Sequence, residues 1–470
     1  MNIGVQLVAG AVSYMVMAHY RGKPIHYIFK RSKENLETVL KLKKNVPQYS
    51  PTIYLPSSYM KTLSTNFMVK DPLYRRQILK VYRGGQVALD HYPRNQRAEV
   101  SFSKKKPLVL ILPGFGTDSF NQYIYDTVKS VHGQLGWDVC VFNQKGTGRI
   151  EFTGDDILGY WNTRDLEIVL QNLAAEYDDI HLMGFSVGAN LIQTYLTDIW
   201  DRKREVEKHQ QWITTMTEKR DEFRIQTIQE LMKKHRFKSD RPYFRDVTDI
   251  KLVDKICSAV CISPIYRFQT TCDLISSKPW VDPILCRKFF AYVRYNMQFE
   301  DFRAIGAELG ISVESLKKLK NFTDMNRYIL QGAMDEPNPQ RAFDLISPCQ
   351  HLNKMNTRML CISSLDDPIV DNYHLPIQSA FTNENLMLAL VTAGGHISCS
   401  HGLKNMNWSV IMGEQYMREQ QELKRPGSAG PPIQLENSLD ARGLDHDASD
   451  WQSEYLAYIK KFTKIVRRDK

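Results

Sequence analysis

At about 150 residues per domain, a chain of 470 residues has room for roughly two or three domains, or for one large α/β unit with insertions. Hydrophobic residues make up 43% and charged residues 24%, with 25 Gly and 20 Pro, which excludes collagen-like, coiled-coil and wholly disordered chains. The formal charge of +10 would suit nucleic acid or anionic lipid, and the location of that charge must decide between them.

The chain opens on Ile3 to Ala18, apolar except for Gln6 and Ser13. That length is close to the lower bound of about 17 residues for a membrane span. Arg21, Lys23, Lys30, Arg31 and Lys33 follow, and the positive-inside tendency then places the body of the protein in the cytoplasm. A cleaved signal peptide fits less well, because no basic residue precedes the apolar run and no small-x-small site follows it. Residues 1–20 are therefore expected to be a single-pass anchor in the endoplasmic reticulum or another endomembrane, with a packed or interfacial helix as the alternative. Residues 21–74 read as a membrane-proximal helical region, and the main folded domain is expected over 75–420.

That domain begins with strands and turns: Ile78 to Val81, a Gly84-Gly85 turn, Val87 to Tyr92, and Leu108 to Leu112 after three lysines. Short continuous apolar runs come next, at Val139 to Phe142, Ile180 to Met183, Ala259 to Ile262, Met359 to Ile362 and Leu386 to Val391. Such runs suit strands buried on both faces. Helical stretches separate them, as in Asp165, Leu166, Ile168, Val169, Leu170 and Leu173. Alternation of this kind predicts an α/β fold with a mostly parallel central sheet and helices on both faces.

Two regions interrupt the rhythm. Residues 201–246 are highly charged, with Met216, Phe223, Ile228 and Met232 as a sparse stripe, and read as a solvated helical insertion with a basic partner-facing or membrane-facing role as the alternative. Residues 268–342 are rich in aromatics with no clear central strand, as a cap or lid over a site would be. Residues 421–450 contain Pro-Gly-Ser-Ala-Gly-Pro-Pro and many acidic residues and read as a flexible linker, before a basic amphipathic helix over 451–470.

The eight cysteines are dispersed, unlike the dense framework of a small secreted scaffold. Cys257 and Cys261 are the only close pair, and their apolar setting points to core packing rather than zinc, so no metal site is expected.

The chemistry is concentrated in Gly184-Phe185-Ser186-Val187-Gly188, which follows an apolar strand and precedes a helical run from Ala189 to Leu196. A serine on a strand-turn-helix elbow projects its hydroxyl, and the flanking glycines let strand and helix approach closely. The hydroxyl is a poor nucleophile near neutral pH and needs an imidazole to take its proton and a carboxylate to orient that imidazole. Both should follow on later strand-to-helix loops. The strand ending at Ile362 leads to Ser363-Ser364-Leu365-Asp366-Asp367-Pro368-Ile369-Val370, and the strand ending at Val391 leads to Thr392-Ala393-Gly394-Gly395-His396. Backbone donors for an oxyanion are assigned to Val187, after the nucleophile, and to Phe115 in the Pro113-Gly114-Phe115-Gly116-Thr117 loop. A phosphate-cradling role for that loop is weak, since no Gly-Lys-Ser/Thr follows.

From Val81 to Met417 the sequence resembles the YheT-like branch of the α/β-hydrolases, which includes the α/β-hydrolase-domain proteins of types one to three and fungal medium-chain ester synthases. The resemblance rests on Leu112-Pro113-Gly114-Phe115-Gly116 with Tyr123, Phe142-Asn143-Gln144-Lys145-Gly146, Asn162-Thr163 with Asp165, Gly184 to Asn190, Asp366-Asp367-Pro368 and Gly394-Gly395-His396. It implies an α/β-hydrolase fold, acyl-ester hydrolysis or transfer without a cofactor, Ser186 as nucleophile and His396 as base. Asp367 is the preferred acid, because the family's acid stands directly before x-Ile-Val, with Asp366 as the alternative. The family's lipid-acting members often carry an N-terminal membrane segment, and they are often described with the catalytic domain on the lumenal side, against the charge rule used above. Several positions depart from the pattern: Lys145 replaces an Arg, Phe115-Gly116-Thr117 replaces Leu-Thr-Gly, and Ser398 replaces a Gly two residues after the histidine.

The expected function is a serine carboxylic-ester hydrolase, a lipase, esterase or phospholipase acting on acyl lipids at a membrane. Alternatives are acyl transfer to an alcohol, or a catalytically silent scaffold that binds a membrane or a partner. Nucleic-acid binding is not expected, because the positive charge lies in the membrane-proximal segment, the insertion and the tail, with no recognisable nucleic-acid module.

Overall fold

A computed structural model describes residues 25–424 except 53, 56, 71, 94–105, 156–162, 219–249, 335, 337, 404 and 405. In chain order its strands and helices are β1 (Ile25–Ile28), α1 (Lys33–Asn45), α2 (Ser58–Leu63), β2 (Arg75–Lys80), β3 (Gln86–Tyr92), β4 (Leu108–Leu112), α3 (Gln122–Leu135), β5 (Asp138–Asn143), α4 (Thr163–Ala174), β6 (Ile180–Phe185), α5 (Val187–Glu218) and β7 (Ile256–Ile262). Six helices then run without an intervening strand: α6 (Phe268–Ser276), α7 (Asp282–Asn296), α8 (Glu300–Glu308), α9 (Val313–Lys317), α10 (Phe322–Met334) and α11 (Pro339–Leu345). The last elements are β8 (Met359–Ser364), α12 (Ile377–Thr382), β9 (Leu386–Val391), the short pair β10 (Ser400–His401) and β11 (Met406–Asn407), and α13 (Trp408–Lys424).

Nine strands form one sheet in the order β1-β9-β8-β7-β6-β4-β5-β3-β2. The six from β9 to β5 are parallel to one another, while β1 is antiparallel to β9, β3 to β5 and β2 to β3. The parallel strands are buried almost throughout, as strands covered on both faces must be. Val109, Ile111, Val139, Val141 and Met183 pack with residues of α1, α3 and α13 in one cluster. Side chains alternate along a strand, so the intervening residues face the other way, and α5 packs on β6 and β7 beside α4.

Several expectations need correction. Residues 21–74 were expected to be helical and membrane-proximal, but from Ile25 onward they include an edge strand: β1 pairs antiparallel with β9 from Ile25 opposite Val391 to Ile28 opposite Leu388. Four residues are too few for a period-2 signal to stand out beside the basic residues around them. β2 begins at Arg75 rather than Ile78, because an edge strand exposes alternate side chains and admits charged ones there. The helix after the serine is not short: α5 continues to Glu218, so the first part of the charged insertion extends that helix. The remainder of the insertion, 219–249, lies outside the described residues.

α13 extends to Lys424, past the expected start of the linker at 421. Gln421 is held there by His181 (2.9 Å) and Asp179 (2.7 Å), partners that no local pattern reveals. The proposed anchor, the rest of the linker and the C-terminal basic helix lie outside the described residues. Among the described residues no helix is long and apolar enough to cross a membrane.

Candidate active site

β6, an interior strand, ends at Phe185, and Ser186 turns the chain into α5 with φ +52, in the left-handed region that non-glycine residues rarely adopt. Two bonds hold this turn: the Ser186 N–H donates to the Ile262 carbonyl (2.9 Å), and the Asn190 N–H donates to the Ser186 carbonyl (3.0 Å). The flanking glycines are sterically required. A Cβ on Gly184 would stand 2.6 Å from the Ala189 backbone, and one on Gly188 would stand 2.3 Å from the Leu112 carbonyl oxygen.

The histidine and its acid arrive from β9 and β8. His396 Nδ1 lies 2.8 Å from Asp367 Oδ2, both side chains being almost wholly buried. Asp367 Oδ1 accepts from the Ile369 (2.8 Å) and Val370 (3.0 Å) N–H groups, which fixes the carboxylate plane. Asp366 is used differently: its Oδ1 accepts from the Ser364 hydroxyl (2.6 Å) and from the N–H groups of Gly394 (2.8 Å) and Gly395 (2.9 Å). The first aspartate therefore ties the acid loop to the histidine loop, and the second meets the imidazole. With Nδ1 engaged by Asp367, Nε2 is the nitrogen left for a serine proton.

The two residues expected as oxyanion donors, Val187 and Phe115, lie in defined local structure. Val187 is the first residue of α5, so its N–H is among the helix-start donors that lack an intrahelical partner. Phe115 sits in a turn closed by the Thr117 N–H (3.2 Å) and Thr117 hydroxyl (2.8 Å), both on the Gly114 carbonyl. The Gly114 N–H donates to the Tyr123 phenol oxygen (3.2 Å), and that phenol is bonded to the Thr117 hydroxyl (2.8 Å). Burial pushes Tyr123 up to about 12, so it stays a neutral phenol. A Cβ on Gly114 would lie 3.4 Å from Ser186 Cβ, which brings this loop against the serine.

Supports that sequence reasoning missed come from the N-terminal region and from the residue that follows β7. The Thr62 hydroxyl accepts from the His396 N–H (2.9 Å), while the Lys61 ammonium (3.0 Å) and the Tyr49 hydroxyl (2.7 Å) donate to the Ala393 carbonyl. The Ser263 hydroxyl accepts from the Ile397 N–H (3.0 Å). No local pattern marks these residues.

The remaining motif residues form scaffold. Lys145 and Asp165 make a buried ion pair (3.1 Å) between the loop after β5 and α4, so a lysine serves where an arginine was expected. Asn143 bonds Asp90 (2.8 Å) and accepts from the Ser119 N–H (2.8 Å), and Arg76 grips the same aspartate with two nitrogens. Ser398 replaces a glycine without strain: the positive φ angles fall on Ile397 and Cys399, and its hydroxyl donates to the Gly394 carbonyl (2.7 Å). All eight cysteines are free thiols, and the described residues contain no group of His, Cys, Asp and Glu that could hold a metal ion.

Ser186, Val187, Phe115 and His396 line one cavity of about 300 Å³. Its wall is mostly apolar, with Ile265, Phe268, Ile275 and Phe322 among its lining residues. α6, α7 and α10 supply much of that wall, and their apolar residues cluster with Val187, Ile369 and Val370. Tyr59, Leu63 and the 80%-exposed Trp280 also line it, so the cavity reaches the protein surface.

A parallel sheet with antiparallel strands at its edges, a left-handed serine between β6 and α5, and an Asp-His pair on the loops after β8 and β9 define the α/β-hydrolases, and the chain belongs to that superfamily. The chain is 22% identical over 361 residues to Phospholipase ABHD3 of Bos taurus, covering 76% of this chain and 74% of that protein. It is 19% identical over 313 residues to a Monoacylglycerol lipase of Saccharomyces cerevisiae, covering 64% of this chain and 57% of that protein. Among solved structures, an esterase of Pyrococcus furiosus superposes with a TM-score of 0.41 at 12% identity, covering 75% of this chain and 98% of that one. No family model matches the chain.

Proposed function

We propose that the protein is a serine hydrolase that cleaves carboxylic esters of acyl lipids through an acyl-enzyme on Ser186. The observation that carries this reading is the shared cavity: Ser186 and the Asp367-bound His396 open onto an apolar space suited to an acyl chain. The names of the relatives, a phospholipase and a monoacylglycerol lipase, agree with a lipid ester as substrate.

In this scheme the Ser186 hydroxyl attacks the ester carbonyl while His396 Nε2 takes its proton. The negative charge that develops on the carbonyl oxygen is met by the N–H groups of Phe115 and Val187. Collapse of the tetrahedral intermediate expels the alcohol, which receives its proton from His396, and leaves the acyl group on Ser186. Water, deprotonated by His396, then attacks the acyl-enzyme, and a second collapse releases the carboxylic acid and restores the serine. Asp367 holds the imidazole with Nδ1 protonated throughout.

The proposal extends to location. The apolar run from Ile3 to Ala18 would hold the protein at an endomembrane, with the catalytic domain on the cytoplasmic side because Arg21, Lys23, Lys30, Arg31 and Lys33 follow it. The α6 to α11 segment would act as a cap under which the acyl chain enters.

A screen of the purified full chain against simple esters, acylglycerols and phospholipids, with Ser186→Ala as control, tests the reading. Release of fatty acid from at least one lipid class, abolished in the variant, is the expected result. Equal release by both proteins, or none from any ester, would overturn it.

A further inference from the structure

One charged side chain in the catalytic cavity has no part in the hydrolytic scheme. Lys288 of α7 lines the same space as Ser186 and His396, and among the described residues no Asp or Glu lines it with them. Lys288 has neither an ion pair nor a hydrogen bond with any described residue. Its place beside the oxyanion loop is fixed from two directions. A Cβ on Gly116 would stand 3.6 Å from Lys288 Cβ and 3.7 Å from its Cδ, so the aliphatic stem lies along the residue after Phe115. The next residue, Phe289, stacks its ring on that of Phe115, with centroids 6.0 Å apart and planes within 8°.

A lysine that only needs water usually extends its ammonium away from apolar surroundings. Here the ammonium is substantially withdrawn from solvent, and burial lowers its pKa to about 8, so it remains mostly charged at neutral pH while poorly solvated. Such a group gains from an anion, and none of the described side chains that line the cavity provides one.

Resting on the reading of Ser186 as the nucleophile, we propose that Lys288 is an anion subsite of the catalytic cavity, which pairs with a phosphate oxygen of the substrate and favours acyl esters of phosphorylated alcohols over neutral acylglycerols. The pairing adds a charge-assisted hydrogen bond next to the reacting carbonyl without entering the bond-making steps. Lys288 is thus a specificity residue, separate from the triad and the oxyanion donors.

The test compares dioctanoyl phosphatidylcholine with dioctanoylglycerol, which carry the same acyl chains, in mixed micelles with the full chain. The readout is the ratio of kcat/KM for the phospholipid to that for the glyceride. Lys288→Met, which suits an apolar wall, should lower this ratio about tenfold or more, with the loss mainly in KM for the phospholipid, and Lys288→Arg should restore most of it. A second measurement uses the wild-type protein alone: hexadecylphosphocholine should inhibit more strongly than hexadecanol. An unchanged ratio in Lys288→Met, an arginine variant no better than the methionine one, or equal inhibition by the two amphiphiles would overturn the proposal. Retention of turnover in Ser186→Ala would instead overturn the underlying assignment of the nucleophile, so the two failures are distinguishable.

Discussion

Asp366 Oδ1 accepts the Gly394 N–H at 2.8 Å, so the aspartate that does not meet the imidazole anchors the loop that carries it. Asp367, one residue later, reaches His396 Nδ1 at 2.8 Å. Two adjacent carboxylates thus have separable consequences.

Asp367→Asn should lower turnover about a thousandfold or more, because an amide no longer holds the imidazole in its working tautomer, with the melting temperature nearly unchanged. Asp366→Ala leaves the N–H groups of Gly394 and Gly395 without their carboxylate partner, so it should cost about 1–3 kcal/mol of stability and lower activity through the loop. Thermal unfolding measured beside kcat separates them. A normal melting temperature for Asp366→Ala would argue against the anchoring role.

Ser186→Ala and His396→Ala should each remove nearly the same activity as the double variant, since nucleophile and base act as a unit. A fluorophosphonate probe should label the wild type and not Ser186→Ala. Additive losses in the double variant, or labelling that survives at another serine, would contradict the assignment.

Glu414 on α13 is buried, one of its carboxyl oxygens has no hydrogen-bond partner, and burial pushes its pKa up to about 7 from 4.5. Below pH 4.5 the group is protonated in both folded and unfolded chains and carries no penalty. Between 4.5 and about 7 the unfolded chain ionises first, so stability falls as pH rises, and above about 7 the full penalty applies. Glu414→Gln should therefore be more stable than the wild type by up to about 3 kcal/mol at pH 8, with the advantage shrinking towards pH 4.5. Urea midpoints across that range check both the sign and the window.

Asn321-Phe322-Thr323 and Asn407-Trp408-Ser409 are acceptor sequons that receive glycans only in the secretory lumen. In the fold both are engaged: the Asn407 side-chain amide donates to the Ile397 carbonyl (2.8 Å), the Asn321 side-chain oxygen accepts from the Asp324 N–H (2.9 Å), and Thr323 and Ser409 are buried. A cytoplasmic catalytic domain predicts no glycan at either site in protein made by cells. A glycosidase-sensitive mobility shift lost in Asn321→Gln would place the domain in the lumen, and deletion of residues 1–19 should release much of the protein from carbonate-washed membranes.

The amino-acid sequence alone determined the elbow and the order of the site. Continuous apolar runs specify strands buried on both faces, and Gly184 and Gly188 announce a strand and a helix too close for any side chain, as the 2.6 Å and 2.3 Å Cβ approaches bear out. These are local signals, carried by residues within one or two turns of each other. Tertiary structure decided what depends on residues far apart in the chain. Thr62 and His396 are separated by 334 positions, and Tyr49 and Ala393 by 344, so nothing near 21–74 indicated that this region supports the histidine loop. The choice between Asp366 and Asp367 depended on which way successive side chains leave a turn, a direction set by the Gly394, Gly395, Ile369 and Val370 N–H groups. Lys288 was one cation among many in the sequence, and it became distinctive only when α7 folded it over Gly116 into an apolar cavity whose described lining holds no carboxylate.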